Sequence, residues 1–149
     1  MEHIVKLTRD GIQADLRAAA AHLGGGPVVA LGFCMGGRNA FFASDPRFGF
    51  AGVIGFYGAP EIAGPYGPGP TQHAAELGAP ILGLFGGADE GIPAEAVAEF
   101  GEALTAAGVP HENVTYPRAP HGFFDAGFAE HAAACEDAWK RVLGFLPGL

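Results

Sequence analysis

The chain has 149 residues and carries 16 acidic side chains against 8 lysines and arginines, for a formal net charge of −8. This balance argues against a surface that binds nucleic acid or an anionic membrane. With 49% hydrophobic and 16% charged residues, the composition is that of a globular protein rather than a disordered one. The length predicts a single domain, residues 1–149, around one hydrophobic core.

The N-terminus and the cysteines bear on location and metal content. Residues 1–10 have no signal-peptide core, and no apolar run is long enough to cross a membrane, so we expect a cytoplasmic location. Cys34 and Cys135 lie far apart, and no C-x-x-C pair or cluster with histidine accompanies them. They are predicted to be free thiols, and no metal site is expected.

Apolar runs alternate with amphipathic patterns along the chain, which predicts alternating strands and helices. The predicted helices are residues 8–23, 38–44, 93–107 and 129–146, and the predicted strands are residues 28–33, 50–57, 80–85 and 112–116. Thr8 is the expected N-cap of the first helix, and residues 58–72, rich in glycine and proline, are expected to form an irregular exposed loop. This order predicts a three-layer α/β/α fold with a mostly parallel sheet, whose ligands bind at the carboxyl ends of the strands.

A reactive side chain stands between the first predicted strand and the helix that follows it, in Gly32-Phe33-Cys34-Met35-Gly36-Gly37. This is the layout of a nucleophile elbow, G-x-S-x-G, with cysteine in place of serine. Gly32 and Gly36 are expected to remove collisions with the tight turn, and Gly37 to let the helix pack closely on the sheet. The helix N-terminus would favour negative charge on the Cys34 sulfur and would direct the Met35 N–H toward an oxyanion. A small buried cysteine is the alternative.

An acid and a histidine also follow predicted strands. Cys34, Asp89 and His121 each come just after a strand, so all three are expected at one edge of the sheet. An imidazole can take the thiol proton and return it to a leaving group, while a carboxylate holds the imidazole in one tautomer. Attack on an ester or lactone carbonyl would then give an acyl-enzyme that water releases.

Four motifs carry a resemblance to a known family. The motifs are residues 32–38 (Gly-Phe-Cys-Met-Gly-Gly-Arg), 56–58 (Phe-Tyr-Gly), 85–89 (Phe-Gly-Gly-Ala-Asp) and 116–123, which begin with Tyr-Pro and end with His-Gly-Phe. Together they resemble the corresponding motifs of the dienelactone hydrolases. The resemblance implies an α/β-hydrolase fold with Cys34 as nucleophile, Asp89 as orienting acid and His121 as base. It also implies hydrolysis of an enol-lactone without metal or cofactor.

The resemblance also predicts a shortened fold. Family members carry several strands before the nucleophile strand, with a second oxyanion donor, a glutamate near the thiol and an arginine for the substrate carboxylate, and none of these has a counterpart in this sequence. The outer edge of strand 28–33 is therefore expected to lack a partner. We expect it to pair with a second copy, as a homodimer, or to belong to a longer protein. Arg38 and Arg118 are the nearest candidates for binding a substrate anion.

Other assignments remain open at this point. Asp89 could be a turn residue, with Glu90 and then Asp125 as fallback acids. Phe33, Tyr57 and Phe123 are candidates for the substrate pocket, with core packing as the alternative for the last two. The other five histidines are expected to face solvent: His3, His22, His73, His111 and His131.

The expected function is a thiol esterase for small esters or lactones. The alternatives are a non-catalytic hydrolase-fold subunit and a redox sensor, which is disfavoured because no resolving cysteine lies near Cys34.

Overall fold

The computed structural model describes residues 8–23, 26–61, 67–125 and 127–146. The helices in these residues are α1 (Arg9–Leu23), α2 (Met35–Phe42), α3 (Ala94–Ala106) and α4 (Ala132–Phe145), and the strands are β1 (Val29–Phe33), β2 (Gly52–Phe56), β3 (Ile81–Gly86) and β4 (His111–Tyr116). Short 3₁₀ turns occupy Pro46–Phe48 and Ala74–Glu76. No helix among the described residues combines the length and the hydrophobicity that a membrane span requires.

The four strands form one parallel sheet in the order β1-β2-β3-β4. The two central strands, β2 and β3, are buried along their whole length, as expected for parallel strands covered on both faces. The α/β architecture predicted from the alternating pattern is therefore confirmed. Because all strands run the same way, their carboxyl ends meet at one edge of the sheet.

Helices pack on both faces of the sheet. Gly55 faces α2, because a Cβ there would meet the Phe41 ring at 2.3 Å, so its neighbour Phe56 faces the opposite side. On the first side Phe41 of α2 contacts Phe100 of α3, with ring centroids 5.1 Å apart. On the second side Phe56 contacts Phe124, which leads to Trp139 of α4. The core thus lies in two layers, one above and one below β2 and β3.

Several element boundaries differ from those predicted. Helix α2 begins at Met35 rather than Arg38, because Cys34 is itself its N-cap. Helix α4 begins at Ala132, three residues after the predicted start, and is preceded by turns. Thr8 caps α1 as predicted, its Oγ1 accepting a hydrogen bond from the Gly11 N–H at 3.1 Å. The predicted glycine stop after α1 lies partly outside the described residues.

The stripe predicted on α4 is only half buried. Cys135 is fully buried, as predicted, and so is Val142, whereas Trp139 and Leu146 are 46% and 42% exposed. Trp139 is partly covered by Phe124, with ring centroids 6.2 Å apart. The predicted periodicity is correct, because the four positions lie within about 60° of one another around the helix, but only part of the stripe that they form is buried.

Candidate active site

Cys34 lies at the tip of a strained turn at the carboxyl end of β1. Its backbone has φ 54° and ψ −119°, a conformation rare for a residue with a Cβ, and its side chain is exposed. The turn is held by a hydrogen bond from the Cys34 N–H to the carbonyl of Phe56 on the neighbouring strand, at 3.0 Å. The sulfur is thereby directed out of the sheet edge rather than into the core, so the alternative of a small buried cysteine does not hold.

The glycines of the elbow have different roles. A Cβ on Gly32 would lie 2.1 Å from the Gly36 carbonyl oxygen, and one on Gly37 would lie 2.7 Å from the carbonyl oxygen of Phe56. Gly37 therefore allows close packing of α2 on the sheet, as predicted. A Cβ on Gly36 would meet none of the described atoms within 4 Å, so the predicted steric reason for Gly36 is wrong. Gly36 matters through its carbonyl, which only a glycine at position 32 can tolerate.

The start of α2 offers backbone donors beside the thiol. The first intrahelical bond of α2 runs from the Arg38 N–H to the Cys34 carbonyl at 3.1 Å. The N–H groups of Met35, Gly36 and Gly37 precede that bond and have no carbonyl partner within the helix. A helix N-terminus with free donors attracts negative charge. The assignment of the Met35 N–H to an oxyanion site stays a prediction.

Asp89 and His121 are joined by a short hydrogen bond. The Nδ1 atom of His121 lies 2.6 Å from Oδ2 of Asp89, whose side chain is only 2% exposed, while that of His121 is 46% exposed. The second carboxylate oxygen of Asp89 accepts a hydrogen bond from the Gly91 N–H at 2.9 Å. With Nδ1 facing the carboxylate, the Nε2 atom of His121 is left for other partners. Of the three acids considered, only Asp89 is bonded to this ring, whereas Glu90 and Asp125 are exposed.

The loops that carry Asp89 and His121 interlock, which explains the paired glycines of the third motif. A Cβ on Gly86 would lie 2.3 Å from the Ala119 carbonyl oxygen, and one on Gly87 would lie 2.7 Å from Pro117. Backbone hydrogen bonds join the same two loops, from Gly87 to Tyr116 at 2.7 Å and from Ala88 to Ala119 at 3.0 Å. The close approach of the two loops holds the acid and the histidine in register.

Tyr57 lies beside both His121 and the elbow. Its ring centroid is 5.0 Å from that of His121, and its backbone has φ 38°, a second positive value in a residue with a Cβ. Burial, followed by the charges of Asp125, Cys34 and Cys135, raises the pKa of Tyr57 to about 12. The phenol therefore stays protonated at neutral pH. Tyr57 is only 2% exposed, so its place in the substrate pocket stays a prediction, and its backbone strain could not be inferred from the sequence.

Cys34 and His121 lie at the same sheet edge without a direct bond. No hydrogen bond joins the Cys34 thiol to the His121 ring in the described part of the chain. A depression of about 510 Å³ flanks the histidine and is lined by Ala88, Asp89, Glu90, Gly91, Pro120 and His121, but not by Cys34. Catalytic hydrogen bonds commonly tighten only when substrate is bound. Transfer of a proton between the two side chains therefore requires a hydrogen bond that the described residues do not show.

The remaining pocket candidates separate by burial. Phe33 is exposed beside the elbow, whereas Phe123 is fully buried and packs against Tyr57 and Tyr116. Phe123 therefore has the packing role that the sequence left open.

The other histidines are less exposed than expected. His73, His111 and His131 are half-buried, His22 is exposed, and His3 lies outside the described residues.

Arg38 is a structural residue rather than a free cation. Its side chain is buried and donates hydrogen bonds to the carbonyls of Ala59, Gly67 and Pro68, each at 3.1 Å. Its guanidinium also lies over the Phe42 ring, 5.4 Å from the centroid, and burial lowers its pKa. The loop after β2 is thus anchored, and the expectation that it is exposed throughout is wrong: positions 58, 60, 69 and 70 are buried. Arg118, the other candidate, is exposed.

No group of three or more metal-binding side chains occurs among the described residues.

Comparison with known proteins shows similarity to one family over almost the whole chain. The model of the dienelactone hydrolase family matches residues 1–148. A "Putative carboxymethylenebutenolidase" of Escherichia coli K12 is 36% identical over 150 aligned positions, which cover 94% of this chain and 55% of the relative. A protein of the same description from Methylorubrum extorquens is 33% identical, over 95% of this chain and 52% of the relative.

Solved structures show the same fold. The crystal structure of a "Putative Dienelactone Hydrolase" from Klebsiella pneumoniae superimposes with a TM-score of 0.83 at 31% identity, covering 95% of this chain and 62% of that one. An esterase from Thermogutta terrifontis, bound to propionate, gives a TM-score of 0.75 at 24% identity, over 94% and 64% of the two chains. The chain spans about half the length of the curated relatives it matches. With its elbow, its acid–histidine pair and these matches, the chain belongs to the dienelactone hydrolase family.

Proposed function

We propose that the protein is a thiol esterase that hydrolyses small esters or lactones through Cys34, His121 and Asp89. The observation that carries the proposal is the 2.6 Å hydrogen bond between His121 Nδ1 and Asp89 Oδ2, at the sheet edge where the elbow exposes Cys34. A buried carboxylate on Nδ1 fixes the tautomer in which Nε2 is a proton acceptor, which is the form a general base needs.

The proposed reaction has two halves. In the first, Cys34 Sγ forms a bond to the carbonyl carbon as its proton passes to His121 Nε2, and the carbonyl electrons move onto oxygen beside the Met35 N–H. The oxyanion collapses, the C–O bond breaks, and His121 gives the proton to the departing alkoxide. In the second, His121 takes a proton from water as the water oxygen bonds to the thioester carbonyl carbon. The C–S bond then breaks, His121 returns the proton to the Cys34 sulfur, and the acid is released.

The substrate class follows from the family and from the exposure of the site. The family resemblance implies an enol-lactone as substrate, and the thioester route applies equally to open esters. In a lactone the leaving alkoxide stays attached to the acyl group, so one product results rather than two. A cytoplasmic location remains a prediction of the sequence.

The experimental test compares the reactivity of the two cysteines of the protein. Cys34 is exposed, whereas Cys135 is fully buried, donates its thiol hydrogen bond to the Phe123 carbonyl and has a pKa raised by burial. Iodoacetamide is therefore expected to modify Cys34 alone, as read by peptide mass spectrometry, and to abolish the burst of p-nitrophenol from p-nitrophenyl acetate. Cys34→Ala should lack the burst, and Cys135→Ala should keep it. Unchanged turnover in Cys34→Ala would refute the mechanism.

A second candidate function is that of a non-catalytic hydrolase-fold subunit. One observation favours it: the described residues show no hydrogen bond between the Cys34 thiol and the His121 ring. Such a subunit would have a thiol that iodoacetamide modifies but would release no burst of p-nitrophenol. The alkylation and burst measurements, made on the same sample, therefore separate the two functions.

A further inference from the structure

Tyr116, the last residue of β4, joins the two loops that carry Asp89 and His121. Its carbonyl oxygen accepts a hydrogen bond from the Gly87 N–H in the first loop, at 2.7 Å, and another from the Ala119 N–H in the second, at 3.0 Å. The second bond closes a turn that ends two residues before His121. A shift of the Tyr116 backbone would therefore move both partners of the Asp89–His121 hydrogen bond.

The ring of Tyr116 supports the histidine loop from the core side. Its centroid lies 5.3 Å from that of Phe123, which is fully buried two residues after His121. Phe123 in turn contacts Tyr57, with centroids 5.6 Å apart, and Tyr57 contacts the His121 ring at 5.0 Å. Ring contacts therefore run without a break from Tyr116 to the imidazole.

The phenol of Tyr116 is anchored to α4. Its O–H donates a hydrogen bond to Oδ2 of Asp137 at 2.9 Å, and the same oxygen accepts one from Nε of Arg141 at 2.7 Å. Arg141 also forms an ion pair with Glu112 of β4, which orients the guanidinium. A groove of about 750 Å³ lies between residues 116–119 and the start of α4, and the Tyr116–Asp137 bond joins its two walls.

The Tyr116 phenol is a hydrogen-bond donor at every pH at which the site would work. Partial burial, followed by the hydrogen bond to Asp137 and the charge of that carboxylate, raises the pKa of Tyr116 well above its usual value. The bond between β4 and α4 is therefore present throughout the neutral range.

The His121 ring has little other support. Its side chain is 46% exposed, and its hydrogen bond to Asp89 is the only one it makes among the described residues. The Asp89 side chain, by contrast, is 2% exposed and also accepts the Gly91 N–H. The position of the ring relative to the carboxylate therefore depends on the loop that carries the ring. A misplacement of about 1 Å in a catalytic group can cost about 100-fold in rate.

We propose that Tyr116 is a positioning residue, whose hydrogen bond to Asp137 ties both loops to α4 and keeps His121 aligned with Asp89. Tyr116 acts through the loops, because its side chain is bonded to Asp137 and not to either member of the acid–histidine pair. The kinetic consequence of this role rests on the proposed function, whereas the His121–Asp89 bond can be observed in the free protein.

The first experiment removes the phenol O–H alone. Tyr116→Phe keeps the ring that packs on Phe123 and loses the donor, so kcat/KM for p-nitrophenyl acetate is expected to fall about tenfold. Asp137→Leu removes the acceptor and should have the same effect, and the double variant should be no slower than either single variant. Asp137→Asn is the conservative variant: its amide oxygen can still accept from the phenol, so its kcat/KM should stay within about twofold of the wild type.

The second experiment observes the His121–Asp89 bond by proton NMR without substrate. Because His73 and His111 also have Nδ1 hydrogen bonds, the Nδ1 proton of His121 is identified by its loss in His121→Gln. Exchange of this proton with water is expected to be at least about tenfold faster in Tyr116→Phe and unchanged in Asp137→Asn. Glu112→Gln leaves the phenol and its acceptor in place and should change neither the exchange nor kcat/KM.

Two outcomes would overturn the proposal. In the first, Tyr116→Phe and Asp137→Leu lose stability in urea but keep both kcat/KM and the exchange rate of the His121 proton, which would limit the bond to a structural role. In the second, Asp137→Asn is impaired as much as Asp137→Leu, which would assign the effect to the charge of Asp137. If the wild-type protein gives no burst of p-nitrophenol, the proposed function fails, whereas the exchange of the His121 proton still tests the role of Tyr116.

Discussion

The elbow provides a sharp test, because two glycines four residues apart are predicted to respond in opposite ways to the same substitution. In Gly32→Ala the new Cβ would lie 2.1 Å from the Gly36 carbonyl oxygen, about 1 Å closer than Cβ atoms approach other atoms in proteins. The contact is to backbone on both sides, so no side chain can turn away. Either β1 or the first turn of α2 must move, and overpacking of this kind costs roughly 2–4 kcal/mol.

Gly36→Ala is the matched control. A Cβ at this helical position meets none of the described atoms within 4 Å, and alanine is more favourable than glycine in a helix by up to about 1 kcal/mol. The two variants should therefore differ by about 2–5 kcal/mol in the free energy of unfolding, measured by urea denaturation at pH 7. The thermal midpoint of Gly32→Ala should fall by about 3 °C for each kcal/mol. Equal stability of the two alanine variants would refute the geometry of the elbow.

Three further predictions concern the acid, the arginine and the α4 helix. Asp89→Asn keeps the hydrogen bond from the Gly91 N–H but turns an amide N–H toward His121, which places the ring proton on Nε2. The value of kcat/KM for p-nitrophenyl acetate should therefore fall about 10³–10⁴-fold. A loss below tenfold would contradict the role of His121 as base. Arg38→Met removes three hydrogen bonds from a buried cation and should lower the free energy of unfolding by about 3 kcal/mol or more in urea. The Asp137 carboxylate accepts hydrogen bonds from Arg141 and Tyr116, and these lower its pKa. The contribution of this carboxylate to stability is therefore complete above about pH 4 and is lost as the pH falls through its folded-state pKa. Because Asp137 is half exposed, Asp137→Asn should cost less than about 1 kcal/mol at pH 7, and this cost should vanish near pH 2.

Each of these three variants has a control variant at a different residue, which leaves the hydrogen bonds of Asp89, Arg38 or Asp137 intact. Glu90→Gln changes an exposed neighbour of Asp89 and should keep full activity. Arg118→Met removes an exposed arginine and should change the free energy of unfolding by less than about 0.5 kcal/mol. Asp125→Asn should show no loss of stability at pH 7 comparable to that of Asp137→Asn. A large effect in any control would assign the corresponding interaction to the wrong residue.

The order of elements and the elbow could be derived from the sequence alone. Apolar runs and helical periodicity are local patterns, so the four strands and four helices appear near their predicted positions. The strand–cysteine–helix order likewise placed Cys34 at a sheet edge, and in a parallel sheet the residues after other strands must emerge at the same edge. The placement of Asp89 and His121 near one another follows from that topology.

Only the tertiary structure decided which residues contact one another. Local patterns leave open whether Asp89 or a neighbouring acid bonds to His121, because the choice depends on two loops whose bonded residues are 32 positions apart in the chain. The sequence likewise left open what Arg38 contacts, because the carbonyls that accept its hydrogen bonds lie more than 20 residues away in the chain. Periodicity identifies the apolar positions of α4 but not which face meets the sheet, so the exposure of Trp139 could be seen only once the helix was packed.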